Sequence, residues 1–183
     1  DLDGTLLNGE SKVDKATAEA IQTLKDNGYE PFIATGRSPA ETRDIMESAN
    51  IHSGIFMNGQ VVLYQGERVY SSEIPTETVE RFHQMVKEDG YGLTAYNDKE
   101  FYLVESSAGA KDAYGFIHTN PPALKEDFYK ENPINMMLFI SLPPAEEKYK
   151  VAFPNLDFLR NTPYSVDVIS KGNSKAEGIK RFL

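Results

Sequence analysis

Cysteine is absent from the 183 residues, so a disulfide framework, a thiolate metal site and a cysteine nucleophile are all excluded. Long apolar runs are also lacking. The longest, Met136 to Ile140, falls far short of the roughly 20 residues a membrane-spanning helix needs. Positive charge is scarce: 19 basic against 28 acidic side chains give a net charge of -9 and a pI near 4.9. That balance argues against a phosphate-backbone partner. Neither G-x-G-x-x-G nor G-x-x-x-x-G-K-[ST] occurs, which removes the usual cradles for dinucleotides and nucleotides. There is no internal repeat and no low-complexity tract. What is present suits a folded domain. Hydrophobic residues make up 40%, with ten Tyr and ten Phe, and charged residues 26%, enough to build a core. The expectation is a soluble, cytoplasmic chain with neither a nucleic-acid nor a membrane partner.

The first segment reads as alternating helix and strand. Ser11 and Asp14 resemble a helix start, and Val13, Thr17, Ala20, Ile21 and Leu24 recur at helical spacing until Gly28. Pro31 to Thr35 is a short apolar strand ending at Gly36. Ser38 with Glu41 forms a capping box, with Pro39 at the first helical position. Gly54 to Met57 gives another strand, and Asn58-Gly59 a turn into Val61 to Leu63. The middle differs in texture. A helix from Thr76 to Gly90 is followed by strands at Leu93 to Tyr96 and Phe101 to Glu105, a short helix around Asp112 to Ile117, and a strand at Asn135 to Ser141. A helix at Pro143 to Phe153 and closing strands at Phe158 to Arg160 and Ser165 to Ile169 complete it. Ser174 and Glu177 then open a final helix. This order predicts an α/β domain, residues 1–74 and 167–183, carrying an inserted α+β segment at 75–166.

Asp1 and Asp3 stand in D-x-D-G-T, where alternation sends both carboxylates to one side and Gly4 permits a sharp turn. Two acids in one small space are costly unless a cation neutralises them or one takes a proton. Mg²⁺ fits, because it takes one or two carboxylates along with waters and phosphate oxygens. Solvated turn residues are the competing reading. A calcium loop is excluded by Leu6 and Lys12 at its sixth and twelfth positions. Thr35, Gly36 and Arg37 fall where a strand ends and a capped helix begins, the place where open α/β sheets bind ligands. A hydroxyl, free helix-start N–H groups and a guanidinium there suit phosphate. Lys175, in the first turn after Ser174, opposes the usual acidic preference at a helix start, as functional residues often do. Lys171 is its rival. His52, His83 and His118 lie too far apart in the sequence to suggest a metal cluster, and Phe101, Tyr102, Tyr114 and Phe116 read as core.

D-L-D-G-T-L-L at 1–7, A-T-G-R at 34–37, M-N-G at 57–59 and G-N-S-K-A-E-G at 172–178, in this order, resemble the haloacid dehalogenase-like superfamily. The likeness is to its Cof-type phosphatases with an α/β cap of class IIB. It implies a Rossmann-like core with a parallel sheet and an inserted cap that closes over the site. It further implies that Asp1 is the nucleophile and a Mg²⁺ ligand. Asp3 would be the acid-base residue and a second metal ligand, while Thr35 and Lys175 would hold and balance the phosphoryl group. Gly36, Arg37 and Asn58 would bind substrate, a small phosphorylated metabolite such as a sugar phosphate or cofactor precursor. A phosphomutase and a catalytically silent binding module are the alternatives. Family members carry a strand before the first Asp and a G-D-x-x-N-D type motif after the Lys, neither of which is found here, so an internal piece of a longer protein is expected. A protein of these 183 residues alone should show weak metal binding and little or no phosphatase turnover; full activity in a phosphate-release assay would contradict that expectation.

Overall fold

A computed structural model describes residues 1–183. The chain divides into two compact units, Asp1–Ser71 with Asn173–Leu183, and Ser72–Gly172.

The first unit begins with a tight helical turn, Leu2–Leu6, in which Asp3 and Gly4 leave helical backbone. Helix α1 (Lys15–Asp26) follows, then β1 (Phe32–Ala34), α2 (Pro39–Ser48) and β2 (Ser53–Phe56). The α1 start is Asp14 and not Ser11, which has φ 59, so Val13 stays outside the helix. Strands β1 and β2 are parallel, Ile33 opposite Gly54, with α2 as the crossover. The capping box forms as the sequence implies: Ser38 accepts from the Glu41 N–H, while Glu41 accepts from the Ser38 N–H and hydroxyl. A 3-10 turn, Met57–Gly59, leads to β3 (Val61–Tyr64), antiparallel to β2. The sequence reading assigned no element to β4 (Glu67–Ser71), which hairpins back on β3 through Gln65 and Gly66 at positive φ. The sheet order is β1-β2-β3-β4, so its parallel part is the β1–β2 pair. Helix α7 (Lys175–Phe182) completes the unit, with Phe182 against the Phe32 and Tyr64 rings.

The second unit is a five-stranded antiparallel sheet of order β6-β5-β7-β9-β8. Its strands are β5 (Gly92–Tyr96), β6 (Phe101–Glu105), β7 (Met136–Ile140), β8 (Leu156–Thr162) and β9 (Ser165–Ser170). Helices α3 (Thr76–Asp89), α4 (Ala110–Phe116), a short α5 (Phe128–Glu131) and α6 (Glu146–Ala152) accompany it. The unit extends beyond the expected 75–166. Ile74 bridges Ile134, and the β9 ladder runs past 167 to Ser170 opposite Leu156. Phe82, Phe139 and Tyr149 form the centre of its core, with ring centroids 4.3 to 5.6 Å apart. Each buried ring of this size contributes about 2–3 kcal/mol. Tyr114 is buried and Tyr102 packs on Phe128, whereas Phe116 is half exposed and lies against Tyr164. His83 is buried between the Tyr129 hydroxyl and the Glu105 carboxylate. No helix is long and apolar enough to cross a membrane.

Polar groups inside this unit are paired. The Tyr149 hydroxyl donates to Asp89 at 2.9 Å; burial first, then that acceptor, push the phenol well above its ordinary value. Glu146 takes two bonds of 2.7 Å from Arg160, whose guanidinium also donates to the Ser141 carbonyl. The guanidinium bonds hold the Glu146 carboxyl below its usual 4.5. Stability from this pair is therefore complete above that ordinary value and is lost as pH falls through the lower folded one. Glu146→Ala leaves Arg160 short of its counter-ion and should cost about 3 kcal/mol at pH 7 in urea unfolding, with a much smaller difference from the parent in strong acid.

Candidate active site

The first turn places two acids side by side without regular secondary structure. Asp1 caps it, its Oδ1 accepting from the Leu2 N–H at 2.9 Å, and the Leu7 N–H returns to the Leu2 carbonyl at 3.0 Å. Gly4 at φ 71 makes the reversal possible, a conformation side chains resist. Buried Leu2 anchors the turn to the core.

Thr35 follows β1 and is buried. Its N–H donates to the Ile55 carbonyl, its own carbonyl accepts from the Asn58 N–H, and its Oγ1 accepts from the Arg37 N–H at 3.1 Å. The Arg37 carbonyl accepts from the Met57 N–H at 3.0 Å. The loop carrying Gly36 is thus tied to the Met57–Gly59 turn, where Asn58 adopts φ 54 and is buried. The Arg37 side chain reaches back to Asp3: Nε lies 3.0 Å from Oδ2 and Nη2 2.5 Å from Oδ1. Sequence reading gave Arg37 to substrate and missed this fork.

Lys175 arrives from the other end of the chain. Its Nζ is 3.2 Å from Asp1 Oδ1. As the first residue of α7 it opposes the helix dipole, and Asp1 supplies the compensating charge. Ser174 caps this helix by accepting from the Glu177 N–H at 3.0 Å. Two glycines, Gly59 of the turn and Gly178 in α7, set the approach. A Cβ at Gly59, which has φ 95, would strike the Ser174 carbonyl, and one at Gly178 would strike Ile55. Lys171, the rival cation, belongs to the second unit and donates to the Pro154 carbonyl.

Glu41, seen in the sequence only as a cap partner, is half-buried near Arg37 and Asp3. Burial raises its carboxyl above the ordinary value, and the two Ser38 bonds and Arg37 oppose that rise. The nearest signal was its place three residues after Ser38.

The structure therefore pairs Asp1 with Lys175 and Asp3 with Arg37, whose N–H bonds the Thr35 hydroxyl, with Asn58 and Gly36 on the adjoining loops. The set gathers carboxylate oxygens, a hydroxyl, an ammonium and a guanidinium, groups of the kind that suit phosphate. The carboxylate oxygens of Asp1 and Asp3 are of the hard donor type that Mg²⁺ takes. No three His, Cys, Asp or Glu side chains gather into a cage.

The family model for haloacid dehalogenase-like hydrolases matches residues 1–183. The chain belongs to this family. It is similar to a Bacillus subtilis (strain 168) protein named "Putative phosphatase YkrA", with 30% identity over 184 residues, 100% of this chain and 71% of that protein. It is also similar to HMP-PP phosphatase of Yersinia pestis (strain Pestoides F), 29% identical over 60% of this chain and 44% of the relative. Among solved structures, a Geobacillus kaustophilus HTA426 protein superposes with a TM-score of 0.91 at 27% identity, covering 99% of this chain and 71% of that one. The subclass IIB sugar phosphatase BT4131 superposes with a TM-score of 0.82 at 24% identity, over 99% of this chain and 72% of that one, and so shares the fold of this haloacid dehalogenase-like chain.

Gly178→Ala forces α7 away from β2 and should lower stability by about 1–3 kcal/mol. Adding Ile55→Ala should recover part of that loss in thermal unfolding. A Gly178→Ala protein with parental stability would contradict the close approach.

Proposed function

We propose that this chain carries the catalytic residues of a Mg²⁺-dependent phosphatase acting on a small phosphate monoester through an aspartyl-phosphate. The observation that carries this reading is the ammonium of Lys175 at 3.2 Å from the Asp1 carboxylate, on a turn that also presents Asp3. The phosphatase names of two relatives support hydrolysis, and the second unit is read as the family's cap. By the same likeness, a sugar phosphate or phosphorylated cofactor precursor is the substrate class.

In this mechanism an Asp1 oxygen attacks phosphorus, forming a new P–O bond as the ester P–O bond breaks. Asp3 gives its proton to the departing alkoxide. It then takes a proton from the water that attacks the phosphoryl-Asp1 phosphorus, which releases inorganic phosphate and restores the carboxylate. The Thr35 hydroxyl accepts from the Arg37 N–H, so its proton is available for a phosphoryl oxygen. Lys175 offsets negative charge on Asp1 and the transferring group. Asn58 and Gly36 line the entry for substrate. Mg²⁺, held by Asp1 and Asp3, would supply charge neutralisation for the phosphoryl group.

A phosphate-release screen of the complete protein should give activity that EDTA removes and Mg²⁺ restores. Asp1→Asn should lower kcat by at least about 1,000-fold, because removing a nucleophile leaves only binding and polarisation. An isomeric sugar phosphate in place of free phosphate would indicate a mutase. Parental turnover in Asp1→Asn would refute the assignment.

A further inference from the structure

Arg37 stands on a well-fixed backbone. Its N–H donates to Thr35 Oγ1 at 3.1 Å and its carbonyl accepts from the Met57 N–H at 3.0 Å. Its partner has no such support. Asp3 leaves helical backbone at φ -69 and ψ 123, precedes Gly4 at φ 71, and its side chain is 60% exposed against 26% for Arg37. A short, exposed carboxylate on a glycine-flanked turn has several rotamers open to it. Two bonds from a planar guanidinium, Nε to Oδ2 and Nη2 to Oδ1, select one of them, which a point-charged ammonium cannot do. The Nε/Nη2 edge of the guanidinium is used on Asp3, so that edge is turned away from a substrate phosphate. Ion pairs between partly exposed groups add little to folding, so orientation is the consequence that remains.

We propose that Arg37 is a positioning residue that holds the Asp3 carboxyl in register for proton transfer and does not bind the substrate phosphoryl group. This rests on the reading of Asp3 as the acid-base residue. The proton reaching the leaving oxygen comes from Asp3; Arg37 exchanges none. General-acid assistance matters most when the leaving group is a basic alkoxide and little when it is p-nitrophenolate. Since kcat/KM reports the steps up to phosphoryl transfer, the two substrate types separate positioning from binding.

The test measures kcat/KM of the complete protein on an alkyl phosphate and on p-nitrophenyl phosphate. Arg37→Ala should lose on the order of 10- to 100-fold on the alkyl ester and stay within about twofold on the aryl ester. Asp3→Ala/Arg37→Ala should be no worse on the alkyl ester than Asp3→Ala alone. Arg37→Lys should behave like Arg37→Ala. Equal losses on both esters, additive losses in the double variant, or recovery by Lys would each overturn the proposal. A readout independent of turnover accompanies these: the Arg37 Nε–Hε resonance in ¹H–¹⁵N spectra should shift and exchange faster in Asp3→Ala. An unmoved resonance also overturns it. Failure of the underlying reading looks different, because Asp3→Ala would then keep the parental kcat/KM on the alkyl ester.

Discussion

The close approach of α7 to the end of β2 governs everything else in the first unit. Gly59 lies under the Ser174 carbonyl and Gly178 against the Ile55 side chain, so neither position has room for a Cβ. That approach delivers Lys175 from the C-terminal end of the chain to a carboxylate at its N-terminal end. The cap supplied by Ser174 fixes the first turn of α7, and the Phe32, Tyr64 and Phe182 rings hold its last. A lysine at a helix start would otherwise be mildly unfavourable. Here Asp1 supplies an opposite charge beside that lysine.

Electrostatics then decides what the site can admit. Two like charges 4 Å apart repel by about 4 kcal/mol at an effective dielectric constant of 20, so an unneutralised pair of carboxylates would exclude a phosphate dianion. Lys175 on Asp1 and Arg37 on Asp3 set one cation against each carboxyl group of the turn. The remaining chain is acidic, with a net charge of -9, so this local balance is not a reflection of bulk composition. The second unit treats its charges differently. Arg160 on Glu146 and Lys148 on Asp89 serve the sheet and helix ends that they tie together. In both units the pairs couple distant segments, but only the first leaves them exposed around a turn built from Gly4.

Local signals made the regular elements legible, and tertiary contacts hid the rest. Ser38 with Glu41 and Ser174 with Glu177 marked helix starts because capping is an interaction between near neighbours in sequence. Ser11 failed as a start because Asn8 organises the loop before α1, accepting from the Glu10 and Lys12 N–H groups and donating to Asp14. Strand β4, with Glu67 and Arg68 exposed at an edge, has too little apolar alternation to stand out. The ends of the second unit were misjudged for a similar reason. Ile74 and Ser170 join it through pairing with Ile134 and Leu156, partners far away in the chain. Among site residues, Asp1, Asp3, Thr35 and Lys175 sat in recognisable motifs. The Arg37 fork could not be read, because which phosphate or carboxylate a guanidinium meets is set by folding.

The partial burial of Glu41 adds a last constraint on that fork. Its carboxyl accepts twice from Ser38, and those bonds, with the nearby Arg37 charge, oppose the upward pull of burial. The N-terminus of α2 is thereby satisfied from within by its own acid. An incoming anion finds the Ser38 N–H already occupied and has to use other donors. The α2 start, the Arg37 guanidinium and the Lys175 ammonium are each already engaged by an acid of the chain: Glu41, Asp3 and Asp1.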